Sequence, residues 1–205
     1  MNNNELNTEK IILDAAEEEF LTKGFGNAKM MGIAKRAGVS HSMLHYYFRS
    51  KENLFQIIFR NKVQAISQLF IDIFDKELPF EQTMRLLVET QFDFVAQNVR
   101  LPRFILNEIM TNKENRDLLI EVLMPKFSVI FMKMTTFFNN EIEKGTIRPI
   151  SLLNLMMNVL SMNVASFVAL PVLEELVNNG NSVEELLRER RESNVQFILN
   201  AMKRS

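Results

Sequence analysis

The chain has 205 residues, 47% hydrophobic and 24% charged, a balance that supports a folded core and excludes a disordered chain. Six Gly and five Pro are too few for the close-set turns of an all-β fold, and the absence of cysteine removes disulfides, thiolate metal sites and cysteine nucleophiles. The formal net charge of −1 conceals a segregation. Residues 1–19 carry Lys10 against six acids, a net −5; residues 20–62 carry eight Lys and Arg against Glu52 alone, a net +7; residues 63–205 are net −3.

A charge run by itself reads as a solvated face, but a basic block inside an acidic protein is also the footprint of a small module that meets phosphate. Apolar residues recur at three- and four-residue spacing, which predicts an all-α chain of about nine helices. Thr8 is placed to cap a first helix, with Ile12, Ala16 and Phe20 on one face, Glu17, Glu18 and Glu19 toward water, and Gly24 at its end. After a loop at 24–29, a short helix spans Met30–Ala37. Gly38 breaks it, and Ser40 caps a second short helix running to Tyr47. Ser50 caps a long helix over Lys51–Phe74. Beyond Pro79 the pattern predicts helices over 80–98, 101–110, 115–144 (interrupted by Pro125 and closed by Gly145) and 151–178. A last helix opens on the capping box Ser182-Val-Glu-Glu185. The charge asymmetry places a boundary within 50–62, giving a domain of residues 1–50 and a larger one of 51–205. The N-terminus lacks the basic start and apolar stretch of a signal peptide, so the expected location is cytoplasmic.

Residues 33–47 contain the spacing Ala34-x3-Gly38-x5-Leu44, flanked by the apolar Ile33 and Val39. Each position has a mechanical role in a helix-turn-helix. Ala34 is small because the second helix crosses above it; Gly38 supplies the left-handed residue of a three-residue turn; Val39 and Leu44 fill the small core; Ser40 caps the reading helix. Together with Gly24-Phe25, Ala37-Gly38-Val39-Ser40, Tyr46-Tyr47-Phe48, Ser50-Lys51-Glu52-x-Leu54 and the upstream Ile12-Leu13-x-Ala15-Ala16, this motif resembles the N-terminal domain of the TetR/AcrR family of regulators over residues 8–56.

The resemblance implies a three-helix DNA-binding domain followed by a larger helical ligand-binding and dimerisation domain. It also implies a homodimer, joined through the last two helices, that sets two recognition helices in successive major grooves of a palindromic double-stranded DNA operator, most simply as a repressor. Carried over position by position, Lys29, Ser40, His41, Ser42, His45 and Tyr46 face DNA, and Lys51 grips the backbone. Three positions depart from the family pattern: Lys29 stands where a capping Thr is usual, Ser42 where Gly is usual, and His45 where an aromatic Tyr is usual. A module that keeps this fold without specific operator binding is the alternative these substitutions leave open.

His41 and His45 are the only histidines and lie one helical turn apart. Such a pair can share a metal, sit idle at the surface, or contact DNA. No cysteine or neighbouring carboxylate completes a metal site, and imidazole can bond base edges or, when protonated, phosphate, so DNA contact is the expectation. Operator affinity is then expected to rise between about pH 8 and pH 6, bracketing the reference imidazole value of about 6.5.

The segment Ile150–Leu173 is free of charge over 24 residues, the length of a membrane span, but Ser151, Asn154, Asn158 and Ser161 form a polar stripe on it. A helix in a core and subunit interface is expected instead, with no membrane association; by the resemblance, this helix and the last one build the dimer interface, with Val159, Phe167, Leu187, Val195, Ile198 and Met202 as its residues. Between residues 80 and 144 the helices are rich in Phe and Met. Such stripes are mostly core, yet as a set they suit a small hydrophobic effector. Phe92, Phe104, Met110, Phe127, Phe131 and Met134 are the expected apolar wall, Asn107, Thr111 and Asn158 the orienting polar groups, and Pro125 a kink where a ligand enters. No Gly-rich phosphate loop, His-Glu-x-x-His or Gly-x-Ser-x-Gly is present. Glu89 and Glu108 read as structural or solvated, so no enzyme, cofactor or metal is implied.

Overall fold

The computed structural model describes residues 3–177 and 182–203. Among them are ten helices and no strand: α1 (Asn3–Asn27), α2 (Met30–Ala37), α3 (His41–Phe48), α4 (Lys51–Phe74), α5 (Phe80–Gln97), α6 (Leu101–Thr111), α7 (Lys113–Glu143), α8 (Leu152–Val168), α9 (Leu170–Val177) and α10 (Val183–Met202). No helix among the described residues is long and apolar enough to cross a membrane.

Three boundaries differ from expectation. Thr8 lies inside α1, not at its cap, and α1 passes through Gly24 with a kink (φ 75°, ψ 160°) to reach Asn27. The helix expected over 151–178 is two helices, because Pro171 has no N–H to continue the ladder; the Val172 and Leu173 amides both turn to the Ala169 carbonyl. Its expected end at Asn178 lies outside the described residues. Pro125 sits within an unbroken α7. The caps at Ser151 and Ser182 form as expected, each hydroxyl accepting from the amide three residues on.

Two compact units divide the chain. The first joins the residues up to Gln64 with Arg103–Leu123. Its core is Ile12, Ala16, Phe20, Ile33, Leu44, Phe48 and Leu54, all nearly or fully buried, and Phe59 and Val63 of α4 pack on Leu119 of α7. The second unit comprises Ala65–Pro102 and Met124–Ser205. Met84 and Val88 of α5, Met134 and Phe138 of α7, Leu155 of α8, and Val195, Ile198 and Met202 of α10 form its main cluster. Asn163 is fully buried here. Its Nδ2 donates to the Val88 carbonyl at 2.9 Å and its Oδ1 accepts from Asn194 Nδ2 at 2.8 Å, so two polar residues inside an apolar bundle are bonded to each other and to backbone.

An ion ladder clamps α5 to α10. Arg191 bonds Asp93 and Glu89, and Arg85 bonds Glu89 at 3.2 Å and both oxygens of Glu192 at 2.6 and 2.9 Å. The Arg85 bond, and after it that of Gln196, hold the Glu192 carboxyl down at about 2. Because this carboxyl titrates lower in the folded chain than in the unfolded one, its stabilisation is complete above the ordinary carboxylate range. It is lost as pH falls toward 2. Glu192→Gln is therefore expected to flatten part of the acid decline in urea midpoint between about pH 4.5 and 2. At pH 7 it should cost about 1 kcal/mol or less, since the pair is half exposed.

Candidate DNA-reading interface

The α2–α3 turn is built by backbone bonds that its sequence permits. Gly38 takes the left-handed conformation (φ 68°, ψ 25°), letting the Val39 amide reach the Ala34 carbonyl at 3.1 Å and close α2. Ser40 then caps α3, its Oγ accepting from the Met43 amide at 3.1 Å. Leu44 and Phe48 bury one face of α3 and fix its rotation. The opposite face carries His41, Ser42, His45 and Tyr46, all exposed, with Tyr46 at 83%. The two imidazoles stand with centroids 4.5 Å apart, and Ser42 Oγ lies 3.0 Å from Ser40 Oγ.

Lys29 occupies the N-cap position of α2 in extended conformation and makes no side-chain cap bond, leaving an exposed cation at a helix start. Lys51 is placed differently from the rest of the predicted set. It is half-buried, its Nζ donates to the Phe25 carbonyl at 2.8 Å, and it stands 4.4 Å over the Phe25 ring. The α3–α4 junction turns at Arg49, whose φ of 57° and ψ of −47° define a γ-turn closed by the Ser50 amide on the Phe48 carbonyl at 2.5 Å. Asn53 Nδ2 braces the same carbonyl at 3.0 Å.

Glu19 was expected to face water and instead is 1% exposed. Burial opposes its charge, but hydrogen bonds and charges from Lys23 (2.6 Å) and Arg36 (3.5 Å) outweigh that cost and hold its carboxyl below the ordinary range. It locks α1 to α2 at the one place where α2 has no side chain, since a Cβ on Gly32 would lie 2.4 Å from Glu19 Oε1. The Ile33-Ala34 motif next to Gly32 was legible; the acid buried beneath it carries no sequence signal beyond its neighbours in a run of three glutamates.

The predicted effector residues fall in both units. Phe104, Asn107, Met110 and Thr111 belong to the first. Phe104 is buried against Phe55 with ring centroids 5.9 Å apart. Asn107, Met110 and Thr111 are exposed, and Thr111 Oγ1 donates to the Asn107 carbonyl at 2.8 Å. In the second unit Phe92 packs on Phe167 (4.9 Å), Met134 lies in the main cluster, Phe127 and Phe131 stack at 5.6 Å, and Asn158 is exposed on α8.

A capped eight-residue helix held by its buried face, with a polar and aromatic outer face, defines a DNA-binding protein of the helix-turn-helix class. Residues 12–58 match the family of bacterial regulatory proteins, tetR family. The fatty acid metabolism regulator protein of Bacillus subtilis (strain 168) is 27% identical over 179 residues, 86% of this chain and 91% of that relative. The solved structure of the transcriptional regulator FadR from Bacillus subtilis in complex with stearoyl-CoA superposes with a TM-score of 0.68 at 16% identity, covering 95% of this chain and 99% of that one. The fatty acid degradation regulator FadR from Bacillus halodurans superposes at 0.64 and 19%, covering 92% and 94%. Residues 12–58 are thus a DNA-binding domain of the tetR family of bacterial regulatory proteins.

Proposed function

We propose that this chain is a cytoplasmic, homodimeric repressor that binds a palindromic operator and releases it on binding a hydrophobic effector, in the first instance a long-chain acyl-CoA. The observation that carries the operator reading is the exposed α3 face of His41, Ser42, His45 and Tyr46 on a buried Leu44–Phe48 frame. Lys29 adds a cation for phosphate. Lys51, with its ammonium engaged by the Phe25 carbonyl, serves by holding α1 against α4 and contacts DNA only if that bond is exchanged.

The dimer reading is supported by an unpartnered apolar stripe. Leu153, Met157, Leu160 and Val168 are exposed at helical spacing on α8, and Phe197 is exposed on α10. The interface residues expected from sequence need correcting. Phe167, Val195, Ile198 and Met202 are buried within the protomer, while Val159 and Leu187 are half-buried against its clusters. The acyl-CoA reading is supported by the relatives named for fatty acid metabolism and by the Phe- and Met-rich α5 and α7. Phe92, Phe127, Phe131, Met134 and Asn158 are the lining we propose in the second unit, and Phe104, Asn107, Met110 and Thr111 the effector-responsive segment of the first.

The test is a fluorescence titration of DNA from the promoter of its own gene. Affinity should fall steeply with salt, with a log–log slope near −0.9 per phosphate neutralised, and stearoyl-CoA should lower it at fixed salt. Binding should be stronger at pH 6 than at pH 8, and a His41→Ala/His45→Ala chain should show no such difference. Salt-insensitive or absent binding supports instead a module of this fold without operator function.

A further inference from the structure

Glu108 lies on α6, some sixty residues beyond the reading motif, yet its side chain ends inside the DNA-binding unit. It is 3% exposed. Its Oε1 accepts from the Phe25 amide at 3.2 Å, and its Oε2 accepts from Asn115 Nδ2 at 2.7 Å. The Phe25 amide is available because the Gly24 kink turns it off the α1 ladder; without the carboxylate a backbone donor would be buried unpaired. The other end of the same residue is held from α4, through Lys51 on the Phe25 carbonyl at 2.8 Å. The Phe25 ring is packed between Phe20 (5.7 Å) and Phe55 (5.1 Å), and Phe55 in turn meets Phe104 of α6.

Phe25 is thus gripped at its amide by α6, at its carbonyl by α4 and at its ring by both neighbours. A buried carboxylate whose partners here are neutral amides carries a desolvation cost that a wholly apolar contact would avoid, although with the Phe25 and Asn115 donors in place its loss leaves both unpaired. What a carboxylate supplies that leucine does not is direction. Its bond sets the angle at which α1 leaves the kink, and α1 carries α2 through the Glu19–Gly32 contact.

We infer that Glu108 is a positioning residue for DNA reading: through the Phe25 amide, the segment 103–123 sets the placement of α2 and α3. The inference rests on the operator-binding reading for its functional consequence but not for its structural one, and the experiment separates the two. Three full-length chains, wild type, Glu108→Gln and Glu108→Leu, are compared by amide exchange and by operator titration. Gln keeps an oxygen acceptor for Phe25; Leu keeps the volume and removes the acceptor.

The Phe25 amide should be protected in wild type and in the Gln chain. In the Leu chain, where the Phe25 amide and Asn115 Nδ2 lose their acceptor, it should exchange faster together with the amides of residues 30–48, at temperatures well below a melting transition that itself falls. Operator affinity should drop about tenfold in the Leu chain, the scale of one charge-assisted hydrogen bond, and stay within about threefold for Gln. A role in folding alone would lower the melting temperature but leave exchange at 30–48 and the affinity of the folded fraction unchanged well below the transition, which overturns the inference. Fast exchange of the Phe25 amide in wild type overturns it without any variant. If wild type binds no operator, the functional reading fails, while the exchange pattern still decides whether Glu108 positions α2 and α3.

Discussion

A glutamate in place of Leu160 or Phe197 is expected to convert the proposed dimer to folded monomers and to weaken operator binding by about 10²-fold or more. Both side chains are exposed in the protomer, Leu160 at 47% and Phe197 at 61%, so neither substitution removes a core contact, and the melting profile of the protomer should be nearly unchanged. In the dimer the new carboxylate would lose water without gaining a cation, a cost of several kcal/mol at each of two symmetry-related positions. A two-fold operator then meets independent half-site binders whose second contact no longer profits from a high effective concentration. Sedimentation and the operator titration read the two consequences separately. A Leu160→Glu chain that remains dimeric at micromolar concentration removes this stripe from the interface. Val195→Glu is the informative contrast: Val195 is fully buried in the protomer, and that change should unfold the second unit rather than split the dimer.

That contrast marks where sequence reading stops. Helical periodicity identifies apolar positions on α8 and α10, but where a helix is apolar on two faces it does not say which one belongs to its own core. The resemblance points to Phe167, Val195, Ile198 and Met202 as interface residues, yet all four are buried within the protomer. Leu153, Met157 and Leu160 interleave with the polar stripe at Asn154, Asn158 and Ser161, so that face reads as mixed in the sequence. Contacts distant in sequence were equally silent. Nothing in residues 103–123 announces that they pack with the first 64 residues, or that Glu108 ends on the Phe25 amide. By contrast Gly38, Ser40, Ser50 and Ser182 were legible because a turn or cap is a local requirement, met by few residue types over three or four positions. The family resemblance added what locality cannot supply, the assignment of α3 as the reader.

Leu44→Ala is expected to abolish operator binding near 37 °C while leaving the dimer intact. Leu44 is completely buried beneath α3, and a buried Leu-to-Ala change costs about 2–5 kcal/mol, the upper end applying where the site cannot collapse. The helix it anchors has only eight residues, far below the length at which a helix persists in water by itself. Little else holds it, since the only other side chain α3 buries is Phe48. The loss therefore falls on α3 first, with the reading face dispersed before the rest of the first unit melts. The second unit shares no residue with this core and should keep its own transition. Circular dichroism should show a low-temperature step absent from wild type, size exclusion an unchanged dimer, and the operator titration a loss of about 30-fold or more at 37 °C, partly regained on cooling. Leu44→Met conserves volume and should recover most of the affinity, at a cost below about 1.5 kcal/mol. If Leu44→Ala bound operator as wild type does at 37 °C, α3 would not be the element that reads DNA.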